Sequence, residues 1–279
     1  MVNLLLLLIL SFPIGTIMAL TILGRFFKTG RFYARILSCY FLLVTCAAYG
    51  VLASVALRLV GKVSIAQWTT ARAFKSLACP VIGLEFKVEN ESALDTRPAV
   101  FVSNHQSELD IVFLGRVFPK HCSVTAKRSL KYIPFLGWFM ALSGTVFIDR
   151  TNRKSAIAAF DSAIQEIKGN RQSVWIFPEG TRSYFSKPEL LPFKKGAFHL
   201  AIQAGVPIVP VVVANYSHIL HLRERTFEPG VINVKVLDPI DTKGLTTGDV
   251  DALVLSTREN MLKELKLISA TSVKAEKSQ

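Results

Sequence analysis

Apolar and polar positions along the chain follow two different patterns. Residues 1–24 carry no charged side chain, and neither do residues 36–57. Each run is long enough to cross a hydrocarbon core of about 30 Å as a helix. Further along, short apolar runs alternate with amphipathic ones. Residues 99–103 read as a buried strand, and 107–117 have helical spacing. Strands are expected over 123–126 and 145–148, and a well-patterned amphipathic helix over 153–168. Another buried strand covers 173–177, followed by a helix over 195–204 that Gly205 stops. A strand over 206–213, entered through Pro207, a strand over 230–237 and a closing helix over 247–267 complete the pattern. Alternating β and α predicts an α/β sheet covered by helices.

The chain therefore divides into membrane-embedded helices over 1–60, a connecting region over 61–97 that is helical from 65 to 77, a catalytic domain over 98–267, and a polar tail over 268–279. The first run lacks the basic start and cleavage site of a secretory signal. One stretch departs from the habits of a soluble domain. Residues 132–142 are apolar and aromatic with no charge, which suits core, a lipid-facing surface or the wall of an acyl tunnel.

Charge sharpens the picture. The net charge is +13, and the first acidic residue is Glu85. Before it stand Arg25, Lys28, Arg31, Arg35, Arg58, Lys62, Arg72 and Lys75. Basic residues flanking apolar segments suit an anionic membrane surface, or serve as topology signals. A nucleic-acid partner is not expected, because such binders place their basic stripe on a soluble domain. Four cysteines without a CxxC suggest neither a zinc site nor a disulfide framework.

Two constellations carry candidate chemistry. Asn104-His105-Gln106-Ser107-Glu108-Leu109-Asp110 follows a buried strand, where α/β proteins place their sites. An alcohol is a poor nucleophile until a base takes its proton, and a neutral imidazole backed by a carboxylate is suited to that. His105 and Asp110 form such a pair if the chain turns from strand to helix between them. Phe177-Pro178-Glu179-Gly180-Thr181-Arg182-Ser183 also follows a buried strand. Gly180 permits a sharp turn, and Arg182 offers a planar fork for phosphate. Phe147-Ile148-Asp149-Arg150 ends a third strand, and Lys127, Arg128, Lys131, Lys194 and Lys195 are basic neighbours in sequence. If these strand ends share one edge, the cleft beside His105 is cationic and suits an anionic, phosphorylated substrate.

These blocks, followed by Val206-Pro207-Ile208-Val209-Pro210, occur in the order seen in the glycerolipid acyltransferase family. The chain resembles its 1-acyl-sn-glycerol-3-phosphate acyltransferases, notably fungal ones, from about residue 61 to 237. The resemblance implies that His105 is the general base and Asp110 its partner. It implies a substrate site made of Arg150, Glu179, Gly180, Thr181, Arg182, Lys127 and Lys194, and an acyl site at Pro207, Ile208, Val209 and Pro210. No metal and no cofactor are expected; acyl-CoA is the co-substrate, lysophosphatidic acid the acceptor, and membrane lipids the surroundings. The implied location is a membrane of the endoplasmic reticulum or lipid droplet, with the catalytic domain facing the cytosol. Another lysophospholipid or glycerol-3-phosphate remains an alternative acceptor. A non-catalytic lipid-binding scaffold remains the alternative of another class, although it has no use for the His105/Asp110 pair.

Overall fold

The computed structural model describes residues 14–149 and 151–277, with the backbone alone at 153 and over 271–277. Two apolar helices open it: α1 (Ile14–Leu23) and α2 (Lys28–Leu59). The first thirteen positions of the 1–24 run lie outside the described residues. Helix α3 (Ala66–Ile82) packs back against α2. Gly50 of α2 makes a close crossing possible, because a Cβ there would meet the Phe139 ring at 2.6 Å and the Thr70 side chain at 2.9 Å.

After α3 come β1 (Leu84–Glu89), β2 (Val100–Ser103), α4 (Asp110–Val117), β3 (Cys122–Lys127), α5 (Leu136–Leu142) and β4 (Val146–Ile148). Helix α6 (Arg153–Asn170), β5 (Ser173–Ile176), α7 (Gly196–Ala204) and β6 (Ile208–Val213) follow. A small hairpin of β7 (Leu220–His221) and β8 (Thr226–Phe227) precedes β9 (Gly230–Val236). Helix α8 (Val250–Lys277) closes the chain.

The main sheet has the order β1-β9-β6-β2-β5-β3-β4. Strands β2 to β6 run parallel; β9 is antiparallel to β6, and β1 is parallel to β9. This is the α/β sheet expected from the alternation, covered by helices on both faces. The alternation of side chains splits the core. Phe101, Trp175, Val209, Val211 and Val213 face one layer with Phe74 and Phe113 of α3 and α4. Val100, Val102, Val174, Ile176, Ile208 and Val212 face the other, with Ile167, Phe198 and Leu265 of α6, α7 and α8. A strand buried on both faces reads as an unbroken apolar run, which is why β2, β5 and β6 stood out in sequence.

Three expectations change. The region 61–97, expected to be a connector, supplies β1 as the sheet's edge strand. Leu84-Glu85-Phe86-Lys87-Val88-Glu89 alternates apolar and charged residues because one face packs and the other meets water. The tail expected from 268 continues α8, with Ile268 and Ser269 buried. Residues 132–142 divide. Tyr132, Ile133, Phe135 and Trp138 are exposed, whereas Leu136 and Phe139 line an apolar cavity of about 100 Å³ with Leu43, Phe74, Ile111 and Leu114.

Candidate active site

Because β2 to β6 are parallel, their C-terminal ends share one edge of the sheet. His105 leaves the end of β2, and the chain turns immediately into α4. The turn folds Asp110 back under the imidazole: His105 Nδ1 lies 2.6 Å from Asp110 Oδ2. The backbone N–H groups of Gln106 and Ser107 donate to the same oxygen, at 2.7 and 3.3 Å. Asp110 Oδ1 accepts from the Tyr216 hydroxyl at 2.7 Å. The Asp110 side chain is 2 % exposed, so a buried charge is held entirely by donors. The phenol of Tyr216, itself buried, accepts from the Ser107 N–H at 3.1 Å. Burial and the adjoining carboxylate push the Tyr216 phenol well above its ordinary value, so it remains a donor. The His105 ring stacks on Phe177 with centroids 4.2 Å apart.

Further bonds fix the loop. Asn104 exchanges two hydrogen bonds of 2.9 Å with the Val213 backbone, tying the end of β2 to that of β6. Gln106 Nε2 donates to the Val213 and Ala214 carbonyls at 3.1 and 3.0 Å. The second constellation, at the end of β5, docks directly on the first. Ser183 N–H donates to the His105 carbonyl at 2.9 Å, and Tyr184 N–H to the Gln106 carbonyl at 3.1 Å.

Glu179 does something other than expected. Its Oε1 accepts the His105 N–H at 2.7 Å and its Oε2 the Leu191 N–H at 2.9 Å. The residue is 3 % exposed, so it holds the His105 backbone and is not presented to a ligand. Burial pushes its carboxyl up, and the two N–H donors pull it part of the way back. Gly180 adopts φ +71°, and Lys194 lies over it so closely that a Cβ would meet the lysine side chain at 2.9 to 3.0 Å. Arg182 reaches Glu108 Oε1 at 2.9 Å. Thr181 is exposed beside it, and Lys127 is exposed at the end of β3. Asp149 accepts from Arg128 at 3.3 Å and from the Thr151 hydroxyl at 2.7 Å. Arg150 lies outside the described residues.

Residues 85–214 match the acyltransferase family model. The 1-acyl-sn-glycerol-3-phosphate acyltransferase of Saccharomyces cerevisiae is 46 % identical over 249 residues, 89 % of this chain and 81 % of that protein. The human beta form of the same name is 38 % identical over 261 residues, 92 % of this chain and 91 % of its own. The chain belongs to the 1-acyl-sn-glycerol-3-phosphate acyltransferase family. The crystal structure of a Thermotoga maritima acyltransferase of that type matches with a TM-score of 0.69 at 26 % identity, covering 86 % of this chain and 98 % of that one. As a family member the chain is an O-acyltransferase, and the fold around its site is the family's.

One expected site is not brought to this acyltransferase centre. Ile208 pairs with Val100, and Pro210 with Val102, in the middle of the sheet. Ile208 lies opposite a residue five positions before His105, about 16 Å back along the strand direction. Ile208 and Val209 are fully buried, one in each core layer, and Pro207 forms the turn into the strand. These residues build the sheet and do not line the cleft. The apolar run that marked them is the ordinary signature of a central strand. Conversely, Tyr216 and Glu108 escaped notice. Tyr216 follows a strand in an unremarkable Asn215-Tyr216-Ser217, and only the β2–β6 pairing carries it under Asp110. Glu108 sits inside the block itself; a second acid there besides Asp110 was the available signal.

Proposed function

We propose that this acyltransferase transfers a fatty acyl group from acyl-CoA to the sn-2 hydroxyl of 1-acyl-sn-glycerol-3-phosphate, giving phosphatidic acid. The observation that carries the mechanism is the His105–Asp110 contact. With its Nδ1–H donating to Asp110, the imidazole keeps its lone pair on Nε2. That nitrogen takes the proton of the acceptor hydroxyl as the oxygen attacks the thioester carbonyl. The tetrahedral intermediate collapses, the C–S bond breaks, and the imidazolium returns its proton to the CoA sulfur. The carboxylate stabilises the imidazolium throughout.

Lys194 packs over Gly180, and Arg182 follows two residues later in the loop bonded to the backbone of His105 and Gln106. They provide the charge that a glycerol phosphate needs. The apolar cavity between α2, α3, α4 and α5 begins at Ile111, the residue after Asp110, and suits an acyl chain. The polar end of the site and its apolar neighbour thus meet at the start of α4.

The same packing supports a seat on one leaflet. Helix α2 has 32 residues, about 48 Å at 1.5 Å per residue, against a hydrocarbon core of about 30 Å. It is tied to the catalytic domain at both ends. Arg35 bonds Glu228 and the Phe227 carbonyl near its start, and Arg58 bonds the Leu142 carbonyl at 2.9 Å near its end. A helix fastened along its length cannot cross a bilayer without drawing the domain into hydrocarbon. Its outer face exposes Tyr33, Leu37, Tyr40, Val44, Leu52, Val55 and Leu59, a stripe at helical spacing. We place this stripe and the exposed Tyr132–Trp138 aromatics in the cytosolic leaflet of the endoplasmic reticulum or a lipid droplet, so the acceptor enters sideways.

The test is acyl transfer from labelled oleoyl-CoA to a panel of lysolipids and glycerol-3-phosphate by purified protein. Phosphatidic acid should be the main product, and His105→Ala should lower the rate about 10²–10⁴-fold while the protein stays folded. Preferred acylation of glycerol-3-phosphate, or near-normal turnover by the variant, defeats the reading.

A further inference from the structure

The corner between α1 and α2 encloses a cavity of about 330 Å³. Arg25, Arg31 and Arg35 line it, with Thr21, Ser38 and Val81. Two glycines make the corner tight. A Cβ on Gly24 would meet the Arg31 side chain at 2.7 Å, and one on Gly30 would meet the Gly24 backbone nitrogen at 3.0 Å. The end of α1 thus lies on the start of α2, which brings Arg25 and Arg31 to one cavity. Arg35 joins them because residues four apart share a helix face.

The charges around this cavity do not balance. Arg31 and Arg35 share one carboxylate, with Glu228 at 3.6 Å from the first and 3.3 Å from the second. The Arg25 side chain has no ion-pair partner among the described residues. Three guanidiniums therefore face one acid, an excess of two positive charges. The hydroxyls of Thr21 and Ser38 both donate to carbonyls of their own helices at 2.7 Å. Recognition of a ligand is thereby left to the arginines, whose planar forks suit phosphate oxygens.

The surroundings select the source of that phosphate. Ile22, Leu23, Phe26 and Phe27 are exposed on either side of Arg25 in sequence, and Val81 is exposed on α3. An apolar rim suits acyl chains and offers nothing to a free ion. Basic pockets between membrane-embedded helices bind anionic head groups for the same reason.

We propose that the α1–α2 corner binds the anionic phosphate of a membrane phospholipid, at a site sharing no residue with the loops that carry His105 and Arg182. Arg25 and Arg31 hold the phosphate, Glu228 stays with Arg35, and no internal contact has to be displaced. The lipid chains run along Phe26 and Phe27. Such a site fastens the corner to an anionic leaflet whatever acceptor the enzyme uses.

The experiment melts the full chain, purified in a non-ionic detergent, with added dioleoylphosphatidylglycerol, dioleoylphosphatidylcholine or inorganic phosphate. A ligand of the folded state raises Tm. In wild type, phosphatidylglycerol should raise Tm about 3 °C above the phosphatidylcholine value, and inorganic phosphate should not. Arg25 is exposed, so Arg25→Gln should fold with an unchanged Tm in detergent alone and lose most of the rise. Arg25→Lys should keep part of it. Lys62→Gln removes an exposed charge beyond the other end of α2 and should keep all of it. No rise in wild type overturns the proposal. Equal losses in Arg25→Gln and Lys62→Gln overturn it too, because a basic protein would then be attracted without a site. A rise kept in Arg25→Gln but lost in Arg182→Gln puts the lipid in the catalytic cleft. An equal rise with inorganic phosphate removes the lipid from the argument. None of these melts reads turnover, so their failure leaves the proposed acyl transfer standing, and failure of that transfer leaves the lipid site standing.

Discussion

Tyr216→Phe isolates the support beneath the proposed catalytic pair. The substitution removes one oxygen from a fully enclosed site and leaves the ring in place. Asp110 accepts at Oδ2 from His105, Gln106 and Ser107, but its Oδ1 accepts from Tyr216 alone among the described residues. Without the phenol, one oxygen of a buried carboxylate has no donor. A hydrogen bond to a charged group contributes roughly 1.5–3 kcal/mol, and each 1.36 kcal/mol is tenfold in rate. If the whole loss appears in the transition state, kcat falls about 10- to 150-fold. The three bonds at Oδ2 persist, so the lower half of that range is expected. Tyr216 is buried and its hydroxyl is turned to Asp110, so both KM values should stay within about twofold, and the variant should unfold at a lower temperature in detergent. Asp110→Asn should cost more, about 10⁴-fold, because an amide favours the wrong imidazole tautomer. Steady-state kinetics with acyl-CoA and lysophosphatidic acid, read beside a thermal melt, measure both effects. A folded Tyr216→Phe with wild-type kcat would refute the argument that Asp110 depends on this bond.

Arg182→Ala should raise KM for the phosphorylated acceptor about 10- to 100-fold and leave KM for acyl-CoA much less affected; the reverse pattern would assign the arginine to the phosphates of CoA. Tyr216 also gives a pH signature. Its folded pKa lies above the unfolded value of 10.0, so the unfolded chain releases this proton first, and stability should fall as pH rises beyond about 10. The fall should be shallower in Tyr216→Phe, and equal slopes would remove Tyr216 as its source. For the seating of α2, a single cysteine at the exposed Thr29, in a background lacking Cys39, Cys46, Cys79 and Cys122, should react with an impermeant thiol reagent from the cytosolic side. Labelling from the lumen alone would require α2 to cross the bilayer and would refute this seating.

Much of this protein is written in one dimension. Strands β2, β5 and β6 are buried on both faces, so unbroken apolar runs announced them, and the 3.6-residue pattern of α6 needed no context. His105 and Asp110 were legible because the turn that joins them is local. Their spacing only has to permit a strand to become a helix, and it does. The edge strand β1 was harder to see, since its alternating charges report solvent on one face and are meaningful only once β9 lies beside it. The tertiary structure alone decided the other roles. Glu179 looked like a ligand group until two backbone N–H donors were found on its oxygens. Pro207–Pro210 looked like a binding motif until the register placed it in mid-sheet. Tyr216 lies 106 positions from Asp110, a separation at which sequence carries no distance information, and only the pairing of β2 with β6 brings the two together. Local sequence thus determined which elements form and where the His105–Asp110 pair sits. Strand order and register determined that the Tyr216 hydroxyl meets the Asp110 carboxylate and that Glu179 holds the His105 backbone.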